Sequence, residues 1–187
     1  VEQLVGLRSI PNMKVFRPCD NKETTAGWIT ALTTQSPTCL VLTRQTLAQN
    51  ENSGVNALKG GYILSDSKKA VPDCLLIASG SEVELCVKAQ AELLEKGVDA
   101  RVVSMPCMEL FEAQGAKYKE SVIPSKVRAR VCVEAGSSYS WYKYSGLDGK
   151  IISMDTFGAS APAKQLFEKY GFTVANVVEK ALEVTNK

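Results

Sequence analysis

"DCLLIASGSEVELCVKAQAELLEKG", residues 73–97, changes its hydrophobic period part-way along. Cys74 to Ala78 are apolar without a break, which suits a strand covered on both faces. Past the Ser-Gly-Ser turn, Val83, Cys86, Val87, Ala91 and Leu94 recur at helical spacing. Ser81 and Glu84 predict a capping box at the start of that helix, and Gly97 predicts its end. A buried strand that runs straight into a helix is half of a βαβ unit and predicts a largely parallel sheet.

The alternation continues downstream. "DARVVSMP" reads as a strand stopped by Pro106, "ARVCVEAG" as a strand, "SSYSWYKYSG" as a helix closed by Gly146, and "GKIISMD" as a strand. "SAPAKQLFEKYG" predicts a helix capped by Ser160, with Ala163, Leu166, Phe167 and Tyr170 inside and Gly171 at its C′ position. A last helix is predicted from Thr173, with Phe172 and Val177 as a hydrophobic staple and Val174, Val178, Ala181 and Leu182 on its buried face. Upstream, "YILSDS" is a short strand joined to residue 73 through Lys68 to Pro72. That link is too short for a parallel crossover, so this first strand should run antiparallel. Residues 53–187 therefore predict a three-layer α/β/α domain around a mostly parallel, five-stranded mixed sheet whose first strand is antiparallel.

Residues 1–52 predict only part of a second α/β domain. Val1, Leu4 and Val5 form a helical stripe ended by Pro11, and "MKVFR" is a strand closed by Pro18. Asp20 and Glu23 predict a capping box for a helix carrying Ala26, Trp28, Ile29 and Leu32. "TCLVLT" is the next strand. Two strands are fewer than a compact α/β unit normally needs, so the first part of this domain is expected to be missing. The polar, glycine-bearing stretch at residues 49–61 is the linker candidate. The opening "VEQLVGLRSIPN" has no charged head followed by an apolar block, so no signal peptide is expected, and a first residue of Val fits a fragment or processed chain.

Composition excludes several classes. Among 187 residues, 22 basic and 20 acidic side chains leave a net charge of +2, which gives no electrostatic footprint for nucleic acid or a membrane surface. No apolar run approaches the roughly 20 residues a bilayer span needs. The six cysteines have no CxxC spacing and read as reduced buried thiols of a cytoplasmic protein, not as a disulfide framework or zinc site. The chain has no histidine, so the commonest general acid–base group is absent.

Arg44 is the leading site candidate. It stands just past the end of "TCLVLT", where ligands of open α/β sheets collect, and its planar fork suits phosphate or carboxylate. The alternative is a surface arginine in a salt bridge. Gly80 and Ser81, at the strand-to-helix turn, are a second candidate anion site through backbone N–H groups; plain helix capping is the competing explanation, because Glu82 and Glu84 would repel a phosphate. "LDGK" reads as a turn and no metal ligand set is predicted. The group Glu134, Tyr139, Trp141, Tyr142 and Tyr144, gathered after a strand end, reads as core or subunit interface before it reads as a pocket.

Several stretches together resemble the C-terminal portion of the transketolase family: "VEQLVGLRSIPNMKVFRPCD", "LTRQTLAQ", "GGYIL", "ASGSEVEL", "ARVVSMPCMELFE", "ESVIP", "VEAGSSYSWYKY" and "TFGASAPAKQLFEKYGFTVANVVEKA". They follow the family's order across nearly the whole chain. The resemblance implies a cytoplasmic homodimeric enzyme of the pentose phosphate pathway that moves a two-carbon ketol unit between sugar phosphates, using thiamine diphosphate and Mg or Ca. It implies that residues 1–52 end the pyrimidine-binding domain and that residues 53–187 are the C-terminal domain. It gives Arg44, in Thr43-Arg44-Gln45, the role of substrate-phosphate ligand; the family's commoner serine is here Thr43, which keeps the hydroxyl. The family's histidine-bearing segment, metal motif and cofactor-activating glutamate have no counterpart here. The chain alone is therefore expected to be inactive, to contribute no catalytic residue and to bind neither cofactor nor metal. The alternatives are a fragment of a related thiamine enzyme (dihydroxyacetone synthase, deoxyxylulose phosphate synthase or a dehydrogenase β-type subunit) and a non-catalytic dimerisation module.

Overall fold

The computed structural model describes residues 1–185. Its larger sheet has five strands: β3 (Tyr62–Ser65), β4 (Cys74–Ala78), β5 (Ala100–Ser104), β6 (Arg130–Val133) and β7 (Lys150–Ile152). Their spatial order is β3-β5-β4-β6-β7, with β3 antiparallel to β5 and every other pairing parallel. The short link after β3 thus fixed the orientation, while the partner of β3 is β5 and not its sequence neighbour β4. The Asp99 carboxylate catches that link as it passes, accepting the Lys68 and Lys69 amides at 3.1 and 2.7 Å.

Every residue of β4 is fully buried, so its unbroken apolar run feeds two cores. Cys74, Leu76 and Ala78 face one layer and Leu75 and Ile77 the other. The first layer holds α3 (Val83–Glu95) and α8 (Val174–Thr185); the second holds α4 (Met108–Glu112), α5 (Ala116–Val122) and α6 (Tyr142–Ser145). This is the three-layer arrangement that the alternating periods predict.

Several local expectations need correction. Ser81 does not cap α3: a 3-10 turn at Gly80–Glu82 precedes the helix, the Ser81 hydroxyl donates to Glu82, and Glu84 pairs with Lys88 instead. The buried stripe of α3 is Val83, Cys86, Ala89 and Leu93, which leaves Ala91 and Leu94 in solvent. "SSYSWYKYSG" splits into a 3-10 turn and the single turn of α6, ended by Gly146 at φ +66°. The predicted helix at 160 begins later, as α7 (Ala163–Lys169), with Pro162 rather than Ser160 at its N-cap. Ala163, Leu166 and Phe167 lie within it and Tyr170 at its C-cap; none is fully buried, but Phe167 and Tyr170 are half-buried and pack against the core. Gly171 does supply the left-handed turn after it, at φ +79°, and the Asn176 amide N–H donates to the Thr173 hydroxyl at 3.2 Å as the start of α8 requires.

The N-terminal elements are α1 (Gln3–Arg8), β1 (Lys14–Phe16), α2 (Asn21–Thr33) and β2 (Thr38–Leu40), with β1 and β2 parallel. Asp20 caps α2 by accepting the Glu23 amide at 3.0 Å, but the Glu23 carboxylate accepts from the Cys19 amide at 2.7 Å, one residue before the position a capping box uses. α2 has two apolar sides: Ala26 and Gly27 are buried, whereas Trp28, Ile29 and Leu32 are exposed. β2 stops at Leu40, short of the predicted end, although the Val41 amide still reaches the Phe16 carbonyl at 2.9 Å. Residues 49–53 are not a free linker, because Asp20 accepts from the Gln49 side chain, the Asn50 amide and the Ser53 hydroxyl.

Candidate anion-binding cleft

Two buried ion pairs join the N-terminal elements to the larger domain. Arg8 donates from both terminal nitrogens to Glu134 at 2.7 and 2.8 Å. The same carboxylate accepts from Ser79 Oγ at 2.6 Å and Trp141 Nε1 at 2.8 Å. Burial alone would raise the Glu134 carboxyl, yet the hydrogen bonds and charge of Arg8, aided by Arg17 and Ser79, hold it down at about 2. Arg17 leaves the end of β1 and donates to Glu82 at 2.5 Å and to the Ser79 carbonyl at 2.8 Å. Gly80, at φ +57°, lies flat on that guanidinium, where a Cβ would come within 2.5 Å of Nη1.

A third tie has no cation. Glu23 is fully buried and accepts from Tyr62 Oη at 2.8 Å and Ser104 Oγ at 2.6 Å, besides the Cys19 amide. Burial pushes its carboxyl above the ordinary value, against the pull of those hydrogen bonds.

Above these ties a cleft of about 730 Å³ opens between the loop after β2 and helix α7. The Arg17–Glu82 pair and Ser81 line it on one side, Thr43, Arg44 and Gln45 stand at its rim, and α7 supplies the apolar wall. The Thr43 hydroxyl accepts the Gln45 amide at 3.2 Å, which folds the loop so that Arg44 projects. Arg44 is exposed, and none of the ion pairs among the described residues involves it.

Gly80 and Ser81 lie on the same side of the cleft as Arg17, and two of their donors are engaged. The Gly80 amide donates to the Arg17 carbonyl at 3.1 Å and the Ser81 hydroxyl to Glu82. The aromatic group divides: Trp141 and Tyr144 are core, while Tyr139 and Tyr142 are exposed. No set of three or more His, Cys, Asp or Glu among the described residues could hold a metal ion. No described helix is long and apolar enough to cross a membrane.

Sequence reasoning missed the roles of Arg8, Arg17, Glu23 and Glu82. One signal was available for Arg17 and Glu134: each charge directly abuts a buried apolar run, at the ends of β1 and β6.

Two family models match the chain. Residues 1–49 match the pyrimidine-binding domain of transketolase, and residues 60–173 match the transketolase-like C-terminal domain. A Bacillus subtilis transketolase is 48% identical over all of this chain, which spans 29% of that relative's length. Among solved structures, a transketolase from Leishmania mexicana superposes with a TM-score of 0.92 at 41% identity, covering 100% of this chain and 27% of that one. A Pichia stipitis transketolase in complex with sedoheptulose-7-phosphate gives the same TM-score of 0.92 at 38% identity, again covering 100% of this chain and 27% of that one.

Proposed function

The chain belongs to the transketolase family, and from that premise we propose that it is the part of a transketolase that grips the phosphate of a sugar-phosphate substrate. The whole enzyme transfers a two-carbon ketol unit from a ketose phosphate to an aldose phosphate. Arg44 carries this reading: it is an exposed guanidinium without a carboxylate partner among the described residues, at the mouth of a cleft beyond the carboxyl ends of two parallel strands. A charge-assisted contact from such a group contributes about 1.5–3 kcal/mol.

The residues present here do not fit thiamine diphosphate or its Mg or Ca ion. There is no histidine, and the fully buried carboxylates Glu23, Glu82 and Glu134 are each already held by the donors described above. Cofactor and metal are therefore held by residues outside this chain, which alone is inactive. Residues 1–52 belong to the pyrimidine-binding domain and 53–187 to the C-terminal domain. Exposed Trp28, Leu32, Tyr139 and Phe157 suit burial against further protein, in keeping with a homodimer. Six free cysteines, five of them buried, suit a reducing, cytoplasmic setting.

The test is steady-state kinetics of the whole enzyme with xylulose 5-phosphate and ribose 5-phosphate. Arg44→Gln should lower kcat/KM by about 10- to 150-fold, mainly through KM, and should leave an unphosphorylated acceptor unaffected. Equal losses on phosphorylated and unphosphorylated acceptors would remove Arg44 from the phosphate site.

A further inference from the structure

The loop that follows β2 and carries Arg44 has little packing of its own. Leu42, Thr43, Arg44, Thr46, Ala48 and Gln49 are all exposed. A gap of about 290 Å³ between the loop and the start of α2 is lined by Leu42, Thr43 and Leu47 on one side and by Asp20, Asn21 and Thr24 on the other. A segment with so few buried contacts opens easily unless its ends are tied.

Both ends are tied. At the entry the Val41 amide donates to the Phe16 carbonyl at 2.9 Å. The exit is held chiefly by one side chain. Asp20 Oδ2 accepts from Gln49 Nε2 at 2.8 Å, from the Asn50 amide at 3.1 Å and from Ser53 Oγ at 2.5 Å. Exposed Lys22 adds Nζ donations to the Asn50 and Glu51 carbonyls at 3.2 and 3.0 Å. Helix capping does not account for Oδ2, because Oδ1 already accepts the Glu23 amide at 3.0 Å and completes the cap of α2. Asp20 is 5% exposed, so donors that lose its charged oxygen are left unmet away from water.

We propose that Asp20 is a positioning residue for Arg44: by fixing the exit of the loop after β2 it holds that guanidinium in place. Asp20 does not line the cleft and acts only through the loop. The inference rests on the phosphate reading above and gives Asp20 a share in the preference for phosphorylated substrates.

The test is kinetics of the whole enzyme with xylulose 5-phosphate as the common donor and ribose 5-phosphate or ribose as acceptor, read as the ratio of the two kcat/KM values. Asp20→Asn keeps a capping oxygen for the Glu23 amide but turns an NH₂ group towards the three loop donors. It should lower the ratio at least about threefold, through KM for ribose 5-phosphate, and by no more than Arg44→Gln does. Because Asp20 acts through Arg44, the double variant should match Arg44→Gln alone. Hydrogen exchange should quicken at residues 43–50 and stay slow in α2. Gln49→Ala, at an exposed side chain, removes one donor without touching the cap. It should shift the ratio in the same direction by less, and it carries the test if Asp20→Asn does not fold. A native ratio in both variants, with the Arg44→Gln ratio lowered, would overturn this proposal and leave the phosphate reading standing. A double variant that shows the product of the two single losses would overturn it too, as would unchanged exchange at residues 43–50. A native ratio in Arg44→Gln would remove the phosphate reading and this proposal with it.

Discussion

Replacing Glu134 by Gln should be among the most damaging single-atom changes available to this protein. The carboxylate lies fully buried between α1, the end of β4 and α6, and accepts two hydrogen bonds from Arg8, one from Ser79 and one from Trp141. A glutamine offers one acceptor oxygen where four donors converge, and its NH₂ group must face one of them. Arg8, whose side chain is 6% exposed, is left with a buried charge and no counterion. Removing one partner of a buried pair costs about 3–5 kcal/mol, because the other charge stays desolvated. For a chain of this size, that corresponds to a fall in Tm of roughly 10 °C. Urea and thermal unfolding of the 187-residue protein measure both quantities. The paired variant Arg8→Met with Glu134→Gln should be more stable than the sum of the single losses, since the orphaned charge leaves with its partner. A loss below about 1 kcal/mol for Glu134→Gln would refute the reasoning. It would mean that water reaches Arg8 and that α1 is not clamped to the larger domain.

Gly60→Ala should cost at least about 3 kcal/mol, because φ is +82° and the new Cβ would fall 2.3 Å from the Cys107 carbonyl and the Phe111 amide nitrogen. Gly97→Ala, at the same φ of +82° with nothing within 4 Å, should cost only the left-handed penalty of about 1–2 kcal/mol; equal losses in urea melts would show that the close approach is not real. Glu23 titrates with the opposite sign to Glu134. Its raised carboxyl gives stability that is complete below the ordinary 4.5 and is lost as pH rises through the folded value, whereas the depressed Glu134 gives stability present above 4.5 and lost as pH falls towards about 2. Glu23→Gln should therefore flatten the decline of stability above about pH 4.5, and an unchanged slope would reassign that decline to other groups. Of the six cysteines only Cys39 is half-buried and the other five are buried, so a thiol reagent should modify one thiol quickly in the native protein and all six in denaturant.

Much of the fold was legible because the period of the sequence switches between strand and helix within a few residues. Cys74 to Ala78 could only be a doubly covered strand, and Gly97, Gly146 and Gly171 each end an element at positive φ. The failures have physical causes. α4 and α5, of five and seven residues, are too short to show a helical period, and no side chain caps either one. On α3, Val87, Ala91 and Leu94 compete with Ala89 and Leu93 as apolar positions; only packing against α8 and β5 decides between two faces that look alike in sequence. The ion pairs Arg8–Glu134 and Arg17–Glu82 join residues 126 and 65 positions apart, a separation at which local pattern carries no information.

The helix α7 shows where reading a sequence for amphipathicity stops. Spacing at Ala163, Leu166, Phe167 and Tyr170 established that one face of the helix seeks an apolar partner, and that much is correct. It could not say how much of that face meets the protein's own core, because periodicity reports the energetic need for burial and not what meets it. The same ambiguity attends Trp28, Ile29 and Leu32 on α2, whose opposite side is satisfied by Phe16 and Leu40 against Gly27. The two cases differ in what faces the stripe. On α2, Trp28, Ile29 and Leu32 stay exposed, and that side asks for apolar cover. On α7, Phe167 and Tyr170 meet the core with part of their surface, and the rest of the stripe lines the cleft.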